Sequence, residues 1–137
     1  MSWYAFIHPI WQLIALYLGV KNLALGFNRA QTWTFSIRKH TKQGFIFIVL
    51  TVVGAIIGAQ TSKTLSNHGS PISLSGHRLI TFIIIAFLIL IVISGLIKRK
   101  RWYRLRWLQF LHAWFGLLTV GLMFAQLFIA LTKLIGW

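Results

Sequence analysis

The sequence predicts an all-α integral membrane protein: an antiparallel, up-down four-helix bundle forming a single transmembrane domain over residues 1–137. Three observations lead there. Hydrophobic residues make up 58% of the chain and gather in long runs. There is no Asp or Glu, whereas a soluble domain normally carries about a quarter charged residues of both signs. Most of the 14 Lys and Arg residues fall between the apolar runs instead of along one exposed face, which argues against nucleic acid as the partner and for anionic lipids.

Four runs, near 5–26, 44–62, 77–97 and 107–134, are long enough to cross roughly 30 Å of hydrocarbon. The first has no basic stretch before it and no small-residue cleavage site after it, so it reads as an uncleaved span, with Pro9 suited to its first turn. The second follows the basic stretch 27–43. The segment "TSKTLSNHGSPISLS" at 62–76 reads as a polar outer loop, and Ser75 as the cap of the third span. A short basic loop, 98–106, leads into the fourth. Connections this short make neighbouring helices antiparallel and leave no room for a soluble domain.

The basic residues set the expected orientation. Lys21, Arg29, Arg38, Lys39 and Lys42 lie at one end of the spans with Lys98, Arg99, Lys100, Arg101, Arg104 and Arg106, leaving only Lys63, Arg78 and Lys133 at the other. The positive-inside rule puts the first group in the cytoplasm and both chain termini outside. Trp3 and Trp137 at one boundary, and Trp33, Trp102 and Trp107 at the other, suit aromatic belts.

Several chemistries are closed to the chain on its own. Without Cys it has no disulfide, thiolate metal site, iron–sulfur cluster or covalently attached haem. Without carboxylates it has no Asp/Glu acid–base pair, hard-cation site or Ser-His-Asp triad.

What remains is histidine. His8 opens span 1 and His77 opens span 3 on the outer side; His40 precedes span 2 and His112 starts span 4 on the cytoplasmic side. In a four-helix bundle, helices 1 and 3 face across one diagonal and helices 2 and 4 across the other. The four imidazoles therefore form two levels, each able to present one ring to either face of a flat macrocycle, the arrangement of bis-histidine haem b. Eighteen residues close about five helical turns. Counting 18 on from each histidine gives Gly26, Gly58, Gly95 and Ala130, a small residue on the same helix face at the level of the other pair. Gly44 and Gly116 follow His40 and His112 by one turn, and all six small residues are expected to clear space for the macrocycle.

Each feature has a plainer explanation. Small residues on one face are common wherever membrane helices approach closely, and a boundary histidine can simply hydrogen-bond a neighbour. It is the repetition over four helices that favours ligation. His68, in "SNHGSP", reads as a loop residue and as the substitute if His77 is not a ligand. Arg78 is placed for a propionate of the outer haem, and Lys39, Lys42, Arg104 or Arg106 for the inner one.

The alternating histidines and the two HxxxG motifs, "HTKQG" at 40–44 and "HAWFG" at 112–116, resemble the four-helix core of cytochrome b561, and more nearly its small prokaryotic di-haem relatives. The resemblance covers nearly the whole chain and rests on spacing. It implies two haems b, ligated by His8 with His77 and by His40 with His112, relaying electrons across a prokaryotic cytoplasmic membrane. The flanking helices of larger members are missing, and nothing matches an ascorbate site. A chain of this size is expected to serve as a subunit beside other membrane or redox subunits, with quinone a natural lipid-phase reactant and Gln126 and Lys133 available near the outer face. Two competing expectations are a pigment-binding subunit with one chlorophyll per histidine, and a structural subunit without a cofactor.

Overall fold

A computed structural model of the chain describes residues 6–31, 36–67, 75–101 and 106–135. These form four helices: α1 (Ile7–Gln31), α2 (Ile37–Asn67), α3 (Ser75–Arg101) and α4 (Arg106–Ile135). Their apolar stretches, Ile7–Asn28, Ile37–Thr64, Gly76–Ile97 and Arg106–Thr132, are 22 to 28 residues long. At 1.5 Å per residue each exceeds the roughly 30 Å of a bilayer's hydrocarbon core. The protein is an all-α, multi-pass membrane bundle.

The helix bounds differ from the apolar runs most at α2. It starts at Ile37 and ends at Asn67, so His40 lies inside its first turns and residues 62–67 of the expected outer loop are helical. Apolar runs mark where lipid contact ends, while helical hydrogen bonding propagates through polar residues once a helix is nucleated. Ser36 supplies the start signal: its hydroxyl accepts from the Lys39 amide at 3.4 Å and its carbonyl from the His40 amide at 3.1 Å. Pro9 sits in the first turn of α1, and α3 begins at Ser75. Trp107 is exposed at the start of α4, while Trp3, Trp33, Trp102, Trp137 and His68 lie outside the described residues.

α1 packs against α2 and α4, and α3 against α4, with α2 and α3 in the slightest contact. The helices thus form a ring in chain order, placing α1 diagonal to α3 and α2 to α4. Ala15, Leu16, Phe47, Ile84, Leu88, Val120 and Met123 form the buried core. Large apolar side chains such as Phe45, Phe82 and Phe128 point outward, as lipid-facing residues should. Hydroxyls at this depth bond back to their own helices, Thr51 to the Phe47 carbonyl and Thr119 to that of Phe115.

The α1–α2 seam runs in alternating steps of three and four. Along α1 the positions are His8, Gln12, Ala15, Gly19, Asn22 and Gly26. Opposite five of them, in reverse order along α2, stand Gly58, Gly54, Phe47, Gly44 and His40. At each of those five contacts a glycine faces a larger side chain. A Cβ added at Gly19 would fall 2.7 Å from the Phe47 ring, and one added at Gly54 would fall 2.5 Å from the Gln12 amide and 2.9 Å from the Trp11 ring. The approach leaves bare backbone on α2, and the Trp11 indole donates to the Leu50 carbonyl at 2.8 Å.

The α3–α4 seam repeats this register. Gln126 faces Thr81 through a 2.7 Å hydrogen bond, and Gly95 faces His112. The chain is therefore two similar helical hairpins, in which a histidine of one helix faces a small residue of the other.

Because the seam depends on bare glycine, Gly19→Ala should destabilise the bundle by about 1–3 kcal/mol, an overpacking cost. Gly121→Ala should stay within about 0.5 kcal/mol, since nothing lies within 4 Å of a Cβ there. Unfolding of the detergent-solubilised variants in a denaturing detergent series measures both.

Two facing histidine pairs as a candidate cofactor site

The up-down topology carries each histidine to the end of the bundle at which its helix begins. His8 of α1 and His77 of α3 meet across one diagonal with ring centroids 6.1 Å apart and planes crossing at 79°. His40 of α2 and His112 of α4 meet across the other diagonal, at the opposite end, with centroids 6.2 Å apart and planes at 61°. All four are partly buried.

Neighbours orient the imidazoles. His8 Nδ1 lies 3.0 Å from the Gly54 carbonyl, a pure acceptor, so this nitrogen carries the proton and Nε2 keeps its lone pair. His112 Nδ1 lies 3.0 Å from Ser94 Oγ, whose own proton goes to the Ile91 carbonyl at 3.0 Å. The serine therefore accepts, and His112 is set in the same tautomer. A donor bond from one ring nitrogen to a carbonyl or hydroxyl is how a ligating imidazole is ordinarily held, with the other nitrogen left for the metal.

The small residues lie against the rings. Gly58 abuts His8 so closely that a Cβ would meet the imidazole at 2.5 Å, and Gly26 and Gly95 face His40 and His112 at 3.5 and 3.6 Å. By the α3–α4 register Ala130 stands level with His77, one turn beyond Gln126. Each level thus holds two imidazoles on one diagonal and the smallest side chains on the other. The open faces of Gly44 and Gly116 are covered by Asn22 and Leu23 of α1. These two glycines serve the approach of α1 to α2 and α4, because α1 leans into the space that HxxxG leaves.

Ser94, Asn22 and Gln43 are polar residues near the levels that the sequence did not single out. Ser94 lies among apolar neighbours and is marked only by its spacing of 18 from His112. Asn22 Oδ1 and Gln43 Oε1 are buried without a hydrogen-bond partner, each about one turn from the level of His40 and His112. Gln126 donates to the His77 carbonyl at 3.0 Å and to Thr81, so its amide nitrogen is already engaged. Arg78 is exposed and its guanidinium reaches Ser62 at 3.4 Å, tying the start of α3 to the last turns of α2. The side chains of Arg104 and Lys133 lie outside the described residues.

Each pair can hold a metal in one particular way. Metal–imidazole bonds of about 2 Å on opposite sides of one ion, plus the ring radii, separate the centroids by roughly 6 Å. Both observed spacings match that geometry. Among the described residues no group of three or more His, Cys, Asp or Glu could bind an ion. Two ligands leave a bare zinc short of its usual four, whereas a haem brings four nitrogens and asks the protein for two.

No protein family, curated protein or solved structure shows a significant match to the chain. Fold and site together define a four-helix, multi-pass membrane protein with a facing histidine pair at each end of its bundle.

If Ser94 sets the tautomer, nitrogen NMR of the selectively labelled protein should show His112 protonated at Nδ1. Ser94→Ala should turn this into a tautomer mixture and cost about 1–3 kcal/mol for the stranded buried donor. His8, held by a backbone carbonyl, should keep its Nδ1 proton in that variant.

Proposed function

We propose that the protein is a membrane di-haem cytochrome b, with one haem b held by His8 and His77 and the other by His40 and His112, relaying electrons between the two membrane faces. The observation that carries this reading is the recurrence, at opposite ends of one bundle, of two imidazoles facing across a diagonal with centroids about 6 Å apart, which would hold one haem at each end. A bound haem would supply reversible one-electron exchange. The chain's part is to hold and orient. The Gly54 carbonyl and Ser94 fix the His8 and His112 tautomers, and Gly58, Gly26 and Gly95 seat the rings. Apolar side chains between the levels keep water out. A facing pair at each level also favours one metal per pair over one chlorophyll per histidine.

In this reading the chain is a prokaryotic cytoplasmic-membrane relative of cytochrome b561 reduced to its four-helix core. Both termini face the outer side, by the distribution of basic residues. His8 and His77 are then the outer pair, and Arg78 is available to an outer propionate. Anionic lipids complement the basic loops, and a partner redox subunit, quinone or both exchange electrons with it.

The purified chain should bind two low-spin haems b, counted by pyridine haemochrome and seen in a reduced-minus-oxidised spectrum. His40→Ala, His112→Ala and the double variant should each retain one haem, and His8→Ala or His77→Ala should lose the other one. Full haem content in all four single variants, or a chlorophyll spectrum, overturns the proposal. A periplasm-dependent reporter fused after Trp137 should be active; activity only of a cytoplasm-dependent reporter would reverse the orientation.

A further inference from the structure

Lys21 stands apart from the other basic residues because it lies deepest within its apolar stretch, seven residues from the nearer end. In the stretch Ile7–Asn28, Tyr17 is near the middle and Lys21 one turn further on, about 10 Å short of Asn28. Both side chains are on the exposed face of α1, away from its seams with α2 and α4. The Lys21 ammonium sits 5.3 Å from the centroid of the Tyr17 ring. It therefore points back along the helix toward mid-span, the direction in which helical side chains lean, and away from the nearer end at Asn28. A lysine reaching for the headgroups would extend the other way.

An ammonium held at that depth on a lipid-facing surface calls for an anion, and one aromatic face is only partial compensation. The chain has no Asp or Glu to offer. A second copy would bring another cation and no carboxylate. Lipid phosphates lie at the interface, beyond the end of the span.

The geometry points to a docking seam on the outer face of α1 for a transmembrane helix of a different protein, one carrying an Asp or Glu at mid-membrane to pair with Lys21. Ile14, Tyr17, Lys21 and Ala24 follow the same three-and-four spacing that α1 uses toward α2, and all four are exposed. Ala24, one turn from Lys21, lets a partner backbone approach closely. This seam deepens the partner half of the proposed function and does not depend on its cofactor half, which haem content reports separately.

The test places a photoreactive amino acid at Ile14 of the full chain in its native membrane and identifies the products by mass spectrometry. The expected product joins this chain to another membrane protein whose crosslinked helix contains an Asp or Glu. Per membrane-inserted chain, Lys21→Met should lower the yield roughly tenfold or more, while Lys21→Arg keeps it. Lys21→Glu combined with Lys at the partner's acidic position should restore it. Crosslinks to lipid alone, to a second copy, or to a helix without a carboxylate overturn the seam, as does a yield indifferent to Lys21→Met. Membrane level, measured on the same samples, separates loss of docking from loss of the protein.

Discussion

Once in lipid, four apolar helices gain little from further burial of hydrocarbon, because the tails around them are as apolar as their own side chains; close approach and internal polar contacts must hold them together. In this bundle both arise at one kind of contact, a bare glycine facing a larger side chain across a helix seam. Gly19 receives Phe47, Gly54 receives Gln12 and Trp11, and Gly58 receives His8. The missing side chains let the helices close, and closure brings the Leu50 and Gly54 carbonyls within reach of the Trp11 indole and the His8 imidazole.

The same constraint accounts for where polar groups are tolerated. Hydrocarbon offers no water, so Thr51 and Thr119 bond back to their own helices, and Gln126 spans to the His77 carbonyl and Thr81. The imidazoles follow this rule at Nδ1, where His8 and His112 are each given an acceptor. Across each diagonal the rings are also paired, with centroids about 6 Å apart. Lys21 is the opposite case, a charge on the outside of the bundle, over the Tyr17 ring, in a chain without Asp or Glu.

The two hairpins share a register while distributing their side chains differently. In the first the amide is Gln12 on the leading helix, facing Gly54; in the second it is Gln126 on the trailing helix, facing Thr81. One amide from each hairpin thus sits a turn inside the level of His8 and His77. The middle layers also differ: by register, Gly19 against Phe47 in the first hairpin corresponds to buried Leu88 against buried Thr119 in the second. Register, set by the steps of three and four, carries the site, and the identity of the core residues is free to vary around it.

Hydrophobic runs and the absence of acidic residues determined the class of fold, since only helices that satisfy their own backbone can cross a bilayer in such runs. Helical periodicity determined more: histidines on alternate helices, with small residues 18 positions on, restricted the pairings to the two diagonals. The extent of α2 was hidden, because hydropathy reports the lipid boundary and the helix continues through polar residues to Asn67. Only the tertiary structure decided what each glycine faces. Gly58 lies against His8, yet Gly44 and Gly116 lie against Asn22 and Leu23. The acceptors, a backbone carbonyl for His8 and Ser94 for His112, were likewise decided there. A helix face can be read from the spacing of its own residues, but a contact depends on the axial register and tilt of the neighbouring helix, which no single helix encodes.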